Sequence, residues 1–218
     1  MARGLPGVWS TILSLPFLGS GAYIYFGDTP YPELLGAPLL VFGAFVIAMG
    51  WYVHLVAAPP EPTLREDEKL IDTRHPTQKA PLAKVVLSLP FLLVAGYLMF
   101  FTVRPYIYPM IAFVIGLYLL STGILTYWTN SLTTYYITNQ RVMNSFRLLS
   151  LVRKEVPMEK IRAVRESKSP IEAIVGVGNI RVASGGGTGL EIMIRNVDDA
   201  TAFADKLRQT QRSGSQSP

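Results

Sequence analysis

The chain has 218 residues, of which half are hydrophobic and 16% are charged, and its mean hydropathy is +0.30. This composition excludes an ordinary soluble domain and is typical of an integral membrane protein. There is no cysteine and there are two histidines, which excludes a disulfide framework, a thiolate nucleophile and a cysteine- or histidine-based metal centre. The net charge of +5 is first explained by Lys and Arg that keep the loops and the tail on the cytoplasmic side of the membrane.

Four uncharged apolar runs predict membrane-spanning helices at residues 8–26, 34–58, 85–103 and 107–128. Each is close to the ~20 residues that cross a bilayer. Of the 20 Lys and Arg, 19 lie in the first seven residues, in the 59–84 loop or after residue 128. The positive-inside rule therefore predicts a multi-pass plasma-membrane protein with both termini in the cytoplasm. Aromatic residues near the inner ends of the spans are the predicted interface anchors, namely Trp9, Trp51 and Trp128.

An internal repeat relates the two predicted hairpins. The sequence Leu-Ser-Leu-Pro-Phe-Leu at 13–18 recurs 74 residues later, with eight identities over 14 positions. A cleaved signal peptide is not expected to mirror a mature span, so the first run is predicted to be a helix of the mature protein. Pro16 and Pro90 occupy matching positions, and proline inside a helix removes a hydrogen bond and kinks it.

Duplicated hairpins with matched prolines are also a feature of transporters, so a transporter or transporter subunit is the alternative function. One observation weighs against transport: no Asp, Glu, Lys or Arg lies inside any predicted span, whereas ion-coupled carriers usually need buried ionisable groups.

Between the hairpins, residues 59–84 are predicted to be a cytoplasmic linker. Its opening Pro-Pro-Glu-Pro ends the second helix, because proline cannot continue one. Residues 66–74 fit either a solvated charged run or a short turn and strand.

After residue 128 the pattern changes to short β-type runs, which predict strands at 133–138, 141–146, 151–156, 161–167, 177–184 and 190–195. Ser169-Pro170 predicts the start of a short helix. A final helix, capped by Asn196 or Asp198, has an apolar face at i, i+3, i+4, i+7 spacing. That face is Ala200, Phe203, Ala204 and Leu207.

The predicted fold is an α+β membrane protein: two transmembrane hairpins, then a small curled sheet or barrel capped by a C-terminal helix. The predicted divisions are a first hairpin (1–58), the linker (59–84), a second hairpin (85–128), a cytoplasmic domain (129–211) and a disordered tail (212–218).

Three segments of the predicted domain carry a family resemblance. They are Tyr-Ile-Thr-Asn-Gln-Arg-Val at 136–142, Glu-Val-Pro-Met-Glu-Lys-Ile at 155–161 and Gly-Val-Gly-Asn-Ile-Arg-Val at 176–182. In this order and spacing they resemble the prokaryotic pleckstrin-homology-like family, and the acidic 66–69 segment resembles the strand that precedes the membrane hairpin in that family. The resemblance covers about residues 65–208. It implies a pleckstrin-homology-like domain and speaks more to fold than to function.

A basic cluster just after the last span is the candidate site. Such clusters bind anionic headgroups or acidic partners, although three acids dilute it and a solvated face is the alternative. Specific phosphoinositide recognition is not expected, because the hairpin at 139–147 holds only two of the cations. The eight residues are Arg141, Arg147, Arg153, Lys154, Lys160, Arg162, Arg165 and Lys168.

Other chemistry is not expected. The glycines at 176–178 and 185–189 lack the context of a phosphate-binding loop and are predicted to form turns. No catalytic set or metal-ligand spacing is present in the sequence, so neither an enzyme nor a cofactor is expected. Nucleic acid is not an expected partner, since aromatic residues do not alternate with the cations. The expected function is a membrane-anchored adaptor whose domain binds a protein partner or self-associates, with anionic lipid as a secondary contact.

Overall fold

The computed structural model describes residues 5–55, 60–103, 105–148, 150–184 and 191–214. The chain forms two compact units, Met1–Ala58 and Pro59–Pro218.

The first unit is a helical hairpin. Helices α1 (Pro6–Phe26) and α2 (Gly36–Leu55) are joined by a turn containing a short 3₁₀ helix, Glu33–Leu35. The helices approach closely at glycines, since a Cβ added to Gly36 would lie 2.5 Å from the carbonyl oxygen of Gly21. Small residues at such contacts let two helices pack by van der Waals attraction, which is the main attraction available inside lipid.

Three of the four predicted spans correspond to helices that are long and apolar enough to cross a membrane. Within the described residues these are Glu33–Leu55, Lys79–Phe101 and Ile107–Ser131. Helix α1 is 21 residues long and uncharged, but its Ser, Thr and Gly residues leave it less apolar than the other three. The fourth predicted span is therefore not confirmed.

In the second unit, α3 (Lys79–Phe101) and α4 (Ile107–Ser131) form the second hairpin. This contact also depends on small residues, because a Cβ on Gly123 would lie 3.2 Å from the carbonyl oxygen of Pro81. The last turns of α4 are buried in the protein, and Trp128 is only 4% exposed.

The burial of Trp128 changes its predicted role. A side chain that the protein covers cannot contact lipid headgroups, so Trp128 is a packing residue rather than an interface anchor. The other two predicted anchors are exposed, Trp9 by 47% and Trp51 by 43%. The indole N–H of Trp51 donates to the Thr11 hydroxyl at 3.2 Å.

Among the described residues of the second unit, seven strands form two antiparallel sheets. The first sheet has the order β1–β2–β3–β4, formed by Leu70–Arg74, Thr133–Thr138, Arg141–Arg147 and Leu151–Pro157. The second has the order β5–β6–β7, formed by Ile161–Ser167, Val177–Ser184 and Glu191–Asp198.

Strand β1 comes from the segment predicted to be a linker. It pairs with β2, with Thr73 opposite Tyr136, although the whole second hairpin separates the two strands in sequence. The charged run at 66–74 therefore ends in an edge strand. The sheet domain begins before the second hairpin and resumes after it.

Two packed sheets form the domain that was predicted to be a curled sheet or barrel, and a barrel is not confirmed. After Pro157 a short 3₁₀ helix, Met158–Lys160, turns the chain before β5, and no strand of one sheet pairs with a strand of the other among the described residues. A common core fills the space between the sheets. Its strand residues include Tyr135, Ile137, Val142, Val156, Ile180, Val182, Ile192 and Ile194.

Helix α6 (Ala200–Gly214) closes this core. All four residues of its predicted apolar face are buried, at 1% exposure or less. The predicted caps Asn196 and Asp198 lie within β7; instead, Asp199 Oδ1 accepts from the backbone N–H of Ala202 at 3.4 Å. The helix continues through Gly214, so it includes the start of the predicted tail, and residues 215–218 lie outside the described part of the chain.

A short helix, α5 (Pro170–Ile174), connects β5 to β6 and begins where the sequence predicts. Ser169 and Glu172 form a capping box, in which each side chain accepts from the backbone N–H of the other. This reciprocal pair fixes the first turn of a helix that is too short to be stable alone.

Polar contacts join the sheet domain to the second hairpin. The Asn130 side-chain amide donates to the Thr77 carbonyl at 2.9 Å, and the Thr77 N–H donates to the Asn196 carbonyl at 2.7 Å. Lys79 pairs with Asp198 at 2.7 Å. The domain is therefore held against the ends of α3 and α4 by side chains as well as by the covalent chain.

Phe203→Ala is expected to destabilise the sheet domain by about 3–5 kcal/mol, because it leaves a cavity under α6 where a fully buried ring stood. Thermal unfolding of the full chain in mild detergent measures this loss. Ala202→Ser is the matched control, since Ala202 is exposed on the same helix. Equal unfolding temperatures for the two variants would contradict the packing of α6 on the core.

Candidate functional site

The eight cations predicted to form one cluster are divided between the two sheets. Arg141 and Arg147 lie on β3, Arg153 and Lys154 on β4, and Lys160 in the 3₁₀ helix that follows. Arg162 and Arg165 lie on β5, and Lys168 comes just after it. The structure therefore contains several distinct basic positions and not a single patch.

Arg141 is removed from the candidate binding surface by a buried ion-pair network. Its Nε and Nη2 groups donate to both carboxylate oxygens of Glu68, at 2.8 and 2.9 Å, and its Nη1 donates to Glu155 at 2.6 Å. Nη2 also donates to the carbonyl of Thr63 at 2.9 Å. With the residue only 6% exposed and its donors engaged, Arg141 has a structural role.

The carboxylate of Glu68 also has several hydrogen-bond donors. Besides Arg141, its carboxylate accepts from the Thr138 hydroxyl at 2.7 Å and from the Arg65 backbone N–H at 2.8 Å. Burial alone would raise the pKa of Glu68, but these hydrogen bonds and the charge of Arg141 outweigh it and lower the pKa from 4.5 to about 2. The pair is therefore ionised throughout the physiological pH range.

The network belongs to a longer contact between residues 60–69, which we term the strap, and the turn between β2 and β3. At this turn Asn139 donates to the Asp67 carbonyl at 3.0 Å and accepts from the Lys69 N–H at 2.7 Å. Gln140 donates to the Glu66 carbonyl at 3.1 Å. The motif residues at 138–141 thus bind the acidic segment that precedes the second hairpin, which gives a physical reason for both to be present.

The remaining cations of the first sheet are more accessible. Arg153 is partly buried, donating to the Ser145 hydroxyl at 3.2 Å and to the strap at the Pro60 carbonyl at 3.3 Å. Arg147 and Lys154 are exposed. Of these three, Arg147 and Lys154 keep the surface exposure that a headgroup contact requires.

The second sheet presents three arginines on its outer face, Arg165, Arg181 and Arg195, which we term the arginine face. All three side chains are exposed. Arg165 lies directly opposite Arg181, and Arg181 opposite Met193, two residues from Arg195. The buried neighbours on these strands point to the core, so strand alternation places the arginines on the solvent side.

Two members of the arginine face were not among the predicted site residues. Arg181 and Arg195 are far from the basic cluster in sequence, and only the pairing of β6 with β5 and β7 brings them beside Arg165. The period-two alternation of Ile180, Val182, Ile192 and Ile194 signals which residues point outward. It does not give the register between strands.

The edge of the second sheet is open beside this face. β5 pairs with β6 on one side, and no other strand pairs with it in the described part of the chain. Exposed edge strands offer unpaired backbone groups to an added strand. Arg162 and Arg165 are exposed along this edge.

The glycines have structural explanations where the structure describes them. Gly176 has φ +74°, a conformation that favours glycine and ends α5. A Cβ on Gly178 would lie 2.8 Å from Ala200 Cβ, so this glycine allows α6 to approach β6. The run at 185–189 lies outside the described residues. No group of His, Asp and Glu suited to a metal ion occurs among the described residues.

Comparison with known families confirms the predicted resemblance. The model of the family described as Bacterial PH domain matches residues 81–211, more than half of the chain. The match begins within α3, so β1 and the strap lie before it. Searches of curated proteins and of solved structures found no match.

Glu68→Gln is expected to lower stability at pH 7 by roughly 3 kcal/mol, because Arg141 loses its main buried counter-charge. The native chain should also lose about 3 kcal/mol as the pH falls from 4.5 towards 2, since the lowered pKa of Glu68 stabilises the folded state only while that group is ionised. Thermal unfolding measured across this pH range tests both statements.

The control is Glu66→Gln, because Glu66 is exposed and contributes its backbone carbonyl to the strap contact. This variant should keep the native stability and the native acid dependence. If Glu68→Gln unfolded with the same acid dependence as the native chain, the ionised pair would not be the source of that dependence.

Proposed function

This chain belongs to the bacterial PH domain family, and on that premise we propose that it is a membrane-anchored adaptor. Its helices would hold it in the plasma membrane, and its sheet domain would bind an acidic protein partner in the cytoplasm. The open, basic edge of the second sheet carries this proposal.

The anchor is supported by hydropathy and by charge. Three helices are apolar enough to cross a bilayer among the described residues, and we propose that α1 is a fourth, less apolar span. We propose that the 59–84 segment and the sheet domain lie on the cytoplasmic side, which is supported by the concentration of the Lys and Arg residues in these two parts of the chain.

The geometry of β5 favours a polypeptide as the ligand of the arginine face. Its free edge offers backbone donors and acceptors that an added strand satisfies, whereas a lipid headgroup uses the cations alone. Arg165 and Arg181 lie directly opposite each other, and like charges in such a pair are destabilising. The three exposed guanidinium groups of this face can form bidentate hydrogen bonds with carboxylates, so a partner rich in Asp and Glu is the favoured occupant.

Self-association through the same edge is less favourable. Pairing two copies of β5 would bring Arg162 and Arg165 of one copy towards those of the other, and the repulsion would oppose the added backbone hydrogen bonds. We therefore propose a heterologous partner, with a homo-oligomer as the other outcome of the test. Anionic lipid remains a secondary contact for the exposed cations of the first sheet, Arg147 and Lys154.

Transport receives no support from the family match, and we do not propose it. We also propose no catalytic role. Among the described carboxyl groups, Glu68 has the pKa that departs most from its ordinary value, and it is buried in an ion pair with Arg141. In that position it has no access to a substrate.

The proposed topology is tested by single cysteines, because the native chain has none. In intact cells a membrane-impermeant maleimide should label Leu34→Cys and Val103→Cys, which lie in the outer turns, and should label Asp205→Cys only after lysis. Ala2→Cys distinguishes a protein with four spans from one with three. Protection of Ala2→Cys in intact cells fits four spans, and labelling of it would leave three.

Arg165→Glu combined with Arg195→Glu is expected to reduce partner recovery on the order of tenfold, since about 1.4 kcal/mol of lost binding energy has that effect. The measurement is cross-linking in intact cells, mild-detergent isolation of the tagged full chain and quantitative mass spectrometry. Loss of a cross-linked species that is rich in acidic surface would support the adaptor.

Two controls make this measurement specific. Arg147→Glu combined with Lys154→Glu makes the same change of charge on the first sheet and should leave recovery unchanged. Deletion of residues 133–218 should abolish it. If the second-sheet charge changes left partner recovery unchanged but the deletion abolished it, the partner site would lie in another part of the domain. Recovery that survives the deletion would argue against the adaptor.

A further inference from the structure

Among the described large apolar side chains of the sheet domain, one is far more exposed to solvent than the rest. Ile174, the last residue of α5, is 85% exposed, whereas the next, Leu70, is 48% exposed. Pro170 and Ala173 are exposed on the same short helix. An isoleucine left so open to water contributes nothing to the domain core, so its position suggests a contact outside the chain.

Helix α5 lies against the second membrane hairpin. It contacts α3, and the positive charge of Lys84 acts on Glu172. Burial alone would raise the pKa of Glu172, but hydrogen bonds from Asn179 and Ser169, together with Lys84, hold this pKa below its ordinary value. Glu172 therefore stays ionised, and Lys84 of α3 is near enough to contribute to this electrostatically.

The level of this contact along the hairpin corresponds to the edge of the apolar region. Lys84 is the last charged residue of α3, and residues 85–103 are uncharged. Near the same level Pro81 and Val85 approach Gly123 of α4. On the domain side of Gly123, one face of α4 is buried in the protein through Tyr127, Trp128 and Ser131. The membrane boundary on this hairpin therefore lies near Lys84, beside α5.

We propose that α5 is a membrane-surface contact of the sheet domain, with Ile174 inserted into the headgroup region of the bilayer that α3 crosses. Lys84 then extends its amine towards the headgroups while its stem stays along the helix. An amphipathic element that is already held at the surface by a span loses little further freedom on inserting. This inference rests on the proposed function in one respect, which is that α3 and α4 cross the bilayer.

Single-cysteine fluorescence in vesicles tests the proposal on the full chain, because the native protein has no cysteine. Ile174→Cys is labelled with an environment-sensitive fluorophore in phosphatidylcholine vesicles, with and without lipids that carry a quencher either near the headgroup or, in a second set, on the acyl chain, where it reaches the label at 93. Two matched positions calibrate the signal: Leu93→Cys on the exposed face of α3, and Asp205→Cys on the exposed face of α6.

The expected result is that the label at 174 is quenched by the lipid-borne quencher several-fold more than the label at 205, and is protected from aqueous iodide. Equal behaviour of the two labels, with the label at 93 strongly lipid-quenched, would overturn the proposal and leave the membrane anchor intact. Protection from iodide without lipid quenching would also overturn it, because a protein surface would then cover Ile174. A label at 93 that escapes lipid quenching would refute the membrane-crossing hairpin itself.

Discussion

The buried pair between Arg141 and Glu68 is the contact that determines how the sheet domain is attached to the membrane hairpin. It fastens the strap to the turn between β2 and β3, and the strap leads directly into β1. Only four residues separate the end of β1 at Arg74 from the start of α3 at Lys79. The domain is therefore attached at both ends of the second hairpin, through β1 before α3 and through β2 after α4.

A buried ion pair is a costly way to make this connection. Removing both charges from water cancels much of their attraction, and a pair of apolar side chains of similar volume is often as stable. The apolar pair, however, could not accept from the Thr138 hydroxyl, accept from the Arg65 N–H or donate to the Thr63 carbonyl. The charged pair thus fixes the register of the strap on the turn by directional hydrogen bonds. With the strap in register, β1 is aligned on β2.

The sequence predicted those parts of the fold that depend on local pattern. The ends of β5 and β6 at Ser167 and Ser184, the start of α5 at Ser169-Pro170 and the buried face of α6 all follow from the spacing of apolar residues and from the local Ser-Pro signal. Local pattern could not reveal that Arg141 is buried, because its partner Glu68 lies 73 residues away. Nor could it assemble the arginine face, since the register between β5, β6 and β7 is a property of the tertiary fold.

The two sheets therefore differ in what they contact. The first holds the domain to the hairpin through the strap and through β2, and its most central cation is used in that attachment. The second presents the arginine face and an open edge, and its β5–β6 connection is α5. The paired arginines at 165 and 181 lie two residues from the Ser167–Asn179 pair that ends the β5–β6 ladder next to the connection containing α5, or about 7 Å along the strands.

This proximity has an electrostatic consequence for the proposed partner. Anionic lipids repel an acidic protein within about one Debye length of the surface, which is about 8 Å at physiological salt. Arginines placed next to the proposed membrane contact of α5 would offset that repulsion at the proposed partner site. Because the domain is attached to the hairpin at two points, this site would already be oriented before the partner binds, which would lower the entropic cost of association. A domain on a flexible linker would provide the same charges without a fixed relation to the bilayer, so in the function we propose the membrane-inserted hairpin is what suits a basic sheet edge to an acidic partner.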